Sequence, residues 1–177
     1  MKRMHIGTLA LAVALCAAPA LRAQRQPTEG IRFGFGVGPT LPIGNFGDAD
    51  KMGYHILGAI QLPIRSSPVH LRIDVLYGQT SHKVGSGSTA LLGATVDALY
   101  HLGDRASSAR PYILGGLGLY NVDAGGNTQS KIAYGFGGGF LFGLSGLNAF
   151  VEARYMSVQT SGSSLSFVPI TVGLMFK

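Results

Sequence analysis

The chain has 177 residues, enough for one domain of ordinary size, and only 12% of them are charged. Its mean hydropathy of +0.29 is high for a water-soluble domain, and glycine is abundant while tryptophan is absent. The formal net charge of +6 falls to +3 if residues 1–23 are removed, because that segment holds three cations and no acid. The high isoelectric point is therefore weak evidence for nucleic-acid binding, and we expect no nucleic-acid partner.

The N-terminus has the pattern of a secretory signal peptide. Lys2 and Arg3 precede an uncharged run from Ile6 to Cys16, and small alanines follow. The run is shorter than the roughly 20 apolar residues that a membrane-spanning helix needs. We therefore expect an exported protein.

We predict cleavage after Ala23, with Ala20 as the alternative, which leaves residues 24–177 as one mature domain. Cys16 is the only cysteine and would leave with the signal, so neither disulfides nor thiolate metal sites are expected. Lipid attachment at Cys16 is disfavoured because Leu15 precedes it where a small residue is usual.

The mature sequence alternates apolar and polar residues with a period of two, which is the pattern of half-exposed β-strands. The clearest segments are Val69–Gly78 and Leu92–Leu102. Six further segments fit the same pattern: Ile31–Val37 with an extension to Leu41, Tyr54–Leu62, Tyr112–Val122, Ile132–Phe142, Ala149–Tyr155 and Val168–Phe176. Eight strands are therefore predicted.

The facing of two segments is ambiguous from their sequence. In 54–62 the alternation favours Ile56, Gly58, Ile60 and Leu62 as the outward set. In 112–122 it favours Ile113, Leu117 and Leu119.

Polar, Gly-rich or Pro-containing stretches separate the strands. If the N-terminus starts in the periplasm, surface loops are predicted at 45–53, 80–88, 123–131 and 159–163. The periplasmic turns are then 63–68, 103–110 and 145–147. An even number of strands returns both termini to one side, as in single-chain bacterial barrels.

No segment after the signal is a long apolar run of the kind that a transmembrane helix needs. A closed barrel can still span a membrane, because closure pairs every backbone group. The sequence therefore predicts an eight-stranded antiparallel up-and-down transmembrane β-barrel. The second face of several strands is mostly glycine, which suits a crowded interior better than a surface in water. Aromatic residues near strand ends are typical of interfacial girdles; they are Tyr77, Tyr100, Tyr134, Tyr155 and Phe176.

Charged residues alternate onto the inward face and include both signs, so they could pair in the lumen. The predicted lumen charge network consists of Arg32, Arg72, Asp74, Asp97, Glu152 and Arg154. A structural network is the favoured interpretation, and a binding or proton-handling cluster that also includes His70 is the alternative.

Four segments carry a resemblance to a known family: LLGATVDALYHL (91–102), PYILGGLGLY (111–120), FVEARY (150–155) and FVPITVGLMF (167–176). Together they resemble the outer-membrane protein β-barrel domain family, the group similar to OmpA and OmpX barrels. The resemblance implies a cell outer membrane location, a surrounding of outer-membrane lipid and a terminal aromatic strand that the barrel-assembly machinery reads. Here that signal would be Ile170, Val172, Leu174 and Phe176, although Lys177 follows the aromatic residue.

The sequence gives little reason to expect catalysis, a cofactor or a metal. His55, His70 and His101 lie on different segments without close ligand spacing. A lipid A-modifying hydrolase would need a histidine beside its serine, but Tyr155 stands two residues before Ser157 and no histidine follows His101.

Three non-enzymatic functions remain. The favoured one is a monomeric membrane scaffold whose loops contact an unknown surface partner. The alternatives are a narrow channel or carrier for small apolar compounds and a soluble periplasmic lipocalin-like binder.

Overall fold

The computed structural model describes residues 30–64, 67–102, 107–124, 127–144, 146–160 and 163–177. The predicted signal peptide, residues 1–23, and its cleavage site lie outside them. Within these ranges the chain forms eight strands and one short helix: β1 (Arg32–Ile43), α1 (Gly44–Ala49), β2 (Gly53–Pro63), β3 (Val69–Ser81), β4 (Ser88–His101), β5 (Ala109–Ala124), β6 (Asn127–Leu144), β7 (Leu147–Thr160) and β8 (Ser163–Phe176). None of the helices among the described residues is long and apolar enough to span a membrane.

The strands form one closed barrel in chain order. Every neighbouring pair is antiparallel, and β8 closes the barrel on β1 through pairs such as Phe33 with Phe176. The prediction of an eight-stranded up-and-down barrel is confirmed. Both described ends of the chain lie at one end of the barrel, here named the terminal end, and the other end is named the loop end.

The alternation along each strand sorts side chains as the sequence predicts. On β3 and β4, Val75 and Val96 are exposed while Arg72, Asp74 and Asp97 are buried. The two ambiguous segments follow the favoured choice, with Ile56 and Leu117 exposed on the outside. An apolar outer face around a polar and glycine-rich interior is the arrangement of a membrane barrel rather than of a soluble one.

Several strands extend beyond their predicted bounds at the loop end. The predicted loop 123–131 is wrong, because β5 and β6 stay paired as far as Ala124 with Asn127. The backbone ladder needs no apolar side chains, so polar residues continue a strand beyond the apolar band. The predicted loop 45–53 also contains α1, which packs against β1 and β8 and buries Phe46.

Inward glycines make room for the large side chains of the interior. A Cβ added at Gly93 would lie 2.3 Å from a ring atom of Tyr120. One added at Gly173 would lie 2.5 Å from the ring of Phe150, and both aromatic residues are essentially inaccessible to solvent. Glycine on the inward face is therefore a packing requirement of a narrow barrel.

Candidate functional site

Two arginines and three carboxylates meet in the middle of the lumen. Arg72 donates from Nε to Asp74 Oδ1 at 2.8 Å and from Nη1 to Glu152 Oε2 at 2.7 Å. Arg154 donates from Nε to Glu152 Oε1 at 2.5 Å, from Nη1 to Asp97 Oδ2 at 3.1 Å, and from Nη2 to Asp74. We name these five residues the lumen network.

The strand pattern explains how these residues meet. Arg72 and Asp74 are two positions apart on β3, and Glu152 and Arg154 are two positions apart on β7, so each pair shares the inward face. In the closed order, β3 and β7 are separated by three strands on either side. The bonds from Arg72 to Glu152 and from Arg154 to Asp74 therefore cross the lumen.

Every member of the lumen network is buried. The exposed fraction of the five side chains is 5% or less. Further hydrogen bonds to the charged groups help to offset the cost of taking the ion pairs out of water. Tyr112 supplies one to Glu152 Oε2 at 2.7 Å, and Thr95 supplies one to Asp97 Oδ2 at 2.8 Å.

Tyr112 and Thr95 are not among the residues that the sequence predicts for the site. Both lie on the inward face, so the alternation carried a signal for them, but hydroxyl groups are common on such faces and do not stand out. The Arg72 guanidinium also lies over the Phe150 ring, 5.4 Å from its centroid.

Arg32, the sixth residue of the predicted network, is buried on the inward face of β1. The ladders place it beside Gln61, which in turn lies beside Arg72. It therefore shares the lumen with the network on its terminal side. We reserve the name lumen network for the five residues whose mutual bonds are given above.

The lumen on either side of the network is also filled. Towards the terminal end, the rings of His70 and His101 contact edge to face at 5.0 Å between centroids, and His101 meets Tyr112 at 5.8 Å. Towards the loop end, Tyr120 and Phe167 pack with centroids 5.8 Å apart. A cavity beside Asp74 and Arg154 measures about 10 Å³. That is room for about one water molecule.

A buried histidine towards the loop end of the lumen bonds to two threonines. His55 is 1% exposed, and its two ring nitrogens lie 3.1 Å from Thr40 Oγ1 and 2.9 Å from Thr171 Oγ1. Across the described ranges, no three or more His, Cys, Asp or Glu side chains are grouped as a metal site would require.

A second polar cluster, which we name the loop-end latch, consists of Asp50, Thr80, His82 and Thr89. Thr80 Oγ1 donates to Asp50 Oδ2 at 2.5 Å, and His82 Nε2 lies 3.8 Å from Asp50 Oδ1 and 3.2 Å from Thr89 Oγ1. An isolated antiparallel bridge joins Asp50 to His82. The latch therefore ties the segment after α1 to the tip of β3.

The predicted assembly signal lies on the outer face of β8. Val172, Leu174 and Phe176 are each about half exposed towards the membrane, and Ile170 is partly covered. Its role in barrel assembly stays a prediction.

Comparison with known proteins gives one family. A family model described as "Outer membrane protein beta-barrel domain" matches residues 8–177. No curated protein matches the sequence.

Among solved structures, the chain is similar to Neisserial surface protein A (NspA), with 19% identity, 84% of this chain and 97% of that chain covered, and a TM-score of 0.67. It is also similar to the outer membrane enzyme PagL, with 14% identity, 82% and 98% covered, and a TM-score of 0.57. OprG from Pseudomonas aeruginosa has 12% identity, 82% and 95% covered, and a TM-score of 0.54. At these identities the likeness concerns the fold alone.

Proposed function

We propose that this chain, which belongs to the outer membrane protein β-barrel domain family, is a non-enzymatic, non-conducting scaffold that holds its loop end at the cell surface for contact with a partner. Membership of the family locates the protein in the outer membrane. The observation that carries the proposal is the lumen network, because its ion pairs cross the middle of the lumen and fill it with buried side chains.

The closed lumen argues against both transport alternatives. A pore or a carrier site for a small apolar compound needs a continuous or ligand-sized cavity, typically hundreds of Å³. The cavity beside Asp74 and Arg154 is about 10 Å³. The soluble lipocalin-like alternative is wrong, because the outer face is apolar and the family is one of the outer membrane.

Enzyme function receives no support from the geometry, although PagL shares the fold. A serine hydrolase needs a histidine within hydrogen-bond reach of an accessible nucleophile. Ser157 is 1% exposed, and the bonds of His55 and His82 go to threonine hydroxyls. We therefore assign no catalytic residue.

The loop end offers the larger surface for a partner. The last ladder pair of β6 with β7 is Ala133 with Val158, yet β6 continues from there to Asn127 paired with β5 alone. The resulting ledge, residues 127–132, has exposed polar side chains such as Thr128 and Ser130. Single-chain bacterial barrels place short turns in the periplasm and their larger loops outside, which favours the loop end as the cell-surface side.

Conductance tests the closed lumen. Purified protein that shows heat-modifiable migration on a detergent gel is inserted into planar bilayers beside a general porin as the positive control. We expect no reproducible open events from this chain while the porin conducts. Stepwise openings from the folded protein would overturn the scaffold proposal in favour of the channel.

Cysteine labelling tests the orientation. One variant is Ser86→Cys, because Ser86 is exposed in the β3–β4 connection at the loop end. The other is Ser108→Cys, because Ser108 is equally placed on the surface at the terminal end. A membrane-impermeant maleimide should label the first variant on intact cells and the second only after lysis, with the unsubstituted protein as background. The reverse pattern would place the loop end in the periplasm.

A further inference from the structure

Two lysines come together at the rim of the loop end. The bridge between Asp50 and His82 is flanked by two backbone hydrogen bonds, from Lys51 N to Ser81 O at 2.7 Å and from Lys83 N to Ala49 O at 2.8 Å. Lys51 therefore lies opposite Ser81, and Lys83 is its diagonal neighbour across the bridge. Diagonal residues of an antiparallel pair are roughly 7–8 Å apart, so two lysine side chains can reach one group.

The two lysines face away from the lumen. Asp50 is buried and bonded to Thr80, and His82 points towards the same cluster. Because side chains alternate along a strand, Lys51 and Lys83 emerge on the outer side, and both are exposed.

Below the lysines, the outer face changes from polar to apolar over a few residues. Tyr54 is 54% exposed and donates from its hydroxyl to Gln79 Oε1 at 3.0 Å, while Gln79 donates to Ser88 Oγ at 3.1 Å. Ile56 and Val75, further towards the middle of the barrel, are exposed and apolar. From the middle of the barrel outwards, the surface therefore carries apolar residues, then a hydrogen-bonded tyrosine, then cations. Hydrocarbon, interface and headgroups follow one another in the same order.

Two acidic residues, Asp48 and Asp50, precede Lys51, so the charge at this rim depends on what those carboxylates contact. Among the described residues, neither ammonium group has an ion-pair partner. Asp50 is turned into the latch, and Asp48 is exposed next to Ala49, whose carbonyl accepts from Lys83 N. Two exposed ammonium groups without ion-pair partners beside the membrane surface attract an anion held at the same level.

We propose that Lys51 and Lys83, with Tyr54 beneath them, form a binding site for the phosphate group of a lipid headgroup in the leaflet at the loop end. The two ammonium groups bind phosphate oxygens by charge-assisted hydrogen bonds, and the tyrosine ring packs against the upper acyl region. The bilayer supplies the occupant, because this site continues the lipid-facing surface. The site is independent of the scaffold role, since a channel of the same fold would carry it equally.

Native mass spectrometry of the folded barrel tests the site, because it resolves individual bound lipids. The protein is titrated with phosphatidic acid, with zwitterionic phosphatidylcholine, and with inorganic phosphate alone. The variant is Lys51→Gln/Lys83→Gln, and Lys177→Gln at the exposed terminal end is the control of like chemistry. Heat-modifiable migration of each variant confirms folding before measurement, and Lys51→Arg/Lys83→Arg tests rescue by conserved charge.

We expect the unsubstituted protein to bind one phosphatidic acid more tightly than phosphatidylcholine. The double glutamine variant should lose that preference by about fivefold for each lysine, the factor equivalent to ~1 kcal/mol per lysine at an anionic surface. The Lys177→Gln and double arginine variants should retain it. Equal loss in Lys177→Gln, unchanged binding in the double glutamine variant, or saturation by inorganic phosphate as readily as by the lipid would each overturn the proposal.

Discussion

The lumen network and the loop-end latch use the same kinds of side chain in two different surroundings. In the network, Arg154 contacts three carboxylates and is 5% exposed, and its bonds reach strands on opposite sides of the barrel. In the latch, Asp50 is 3% exposed but its neighbour His82 is 32% exposed, and the bonds join only the β1–β2 connection to the tips of β3 and β4.

The difference shows which polar contacts hold the whole barrel and which hold one end. Removing one partner of a sealed, cross-lumen ion pair leaves charge in a low dielectric with no water to replace the bond. At the latch, water can reach a broken contact through the exposed side of His82. We therefore expect the network to control global stability and the latch to control local opening.

The largest effect is expected from Arg154→Met. It removes the partner of Asp74, Asp97 and Glu152 at once and leaves buried carboxylates for which Arg72 alone remains. The free energy of unfolding in detergent micelles, measured by urea titration, should fall by about 3–5 kcal/mol.

Lys177→Met is the matched control for that change, because it removes a cation from an exposed position. It should change stability by less than about 0.5 kcal/mol. If Arg154→Met costs no more than this control, the lumen network is not the element that holds the barrel together.

Val96→Arg tests the outer, lipid-facing surface of the barrel. Val96 is 51% exposed and lies between Ile73 and Leu117 in the middle of the outer face. An arginine facing hydrocarbon at the bilayer midplane should reduce stability in a lipid bilayer by about 2–4 kcal/mol. Val84→Arg, at an 89% exposed loop position, should be close to neutral. Similar values for both would mean that Val96 does not face lipid.

Gly93→Ala tests the packing of the lumen on the loop-end side of the network. The added Cβ would lie 2.3 Å from the Tyr120 ring, so the ring or the strand must shift at a cost of about 1–3 kcal/mol. At Gly58, on the outer face, nothing lies within 4 Å of an added Cβ. Gly58→Ala should therefore be neutral in the same urea titration, and an equal loss at both sites would contradict a tightly filled lumen.

The sequence is sufficient to predict the barrel because one period governs every strand. The same period puts Arg72 and Asp74 on the inward face of β3. It does the same for the other three residues of the lumen network on β4 and β7, so all five members can be named from the sequence. Which arginine bonds to which carboxylate does not follow, because that depends on the stagger between β3 and β7, which alternation leaves undetermined.

The loop end is where prediction from sequence fails. Residues 123–131 have turn composition, yet the backbone of 123–124 and 127–131 pairs as strand. Helix α1 contains two glycines, an asparagine and an aspartate, which are weak helix formers, and it forms where Phe46 is buried against the barrel. The helix depends on a tertiary contact that no local pattern contains, whereas β5 and β6 are separated in the sequence by two glycines, a local hairpin signal that composition alone overlooks.

The smallest effect is expected from Thr80→Val, which has nearly the same shape but removes the hydroxyl that donates to Asp50. We expect a loss of about 1 kcal/mol, since one hydrogen bond to a carboxylate is lost and water can reach the site beside His82. The loss should be local: hydrogen exchange should speed up in residues 44–52, while exchange in the middle of β3 and β7 stays unchanged. Faster exchange throughout the barrel would mean that the latch and the network form one cooperative unit, and the distinction between the two regions would then be wrong.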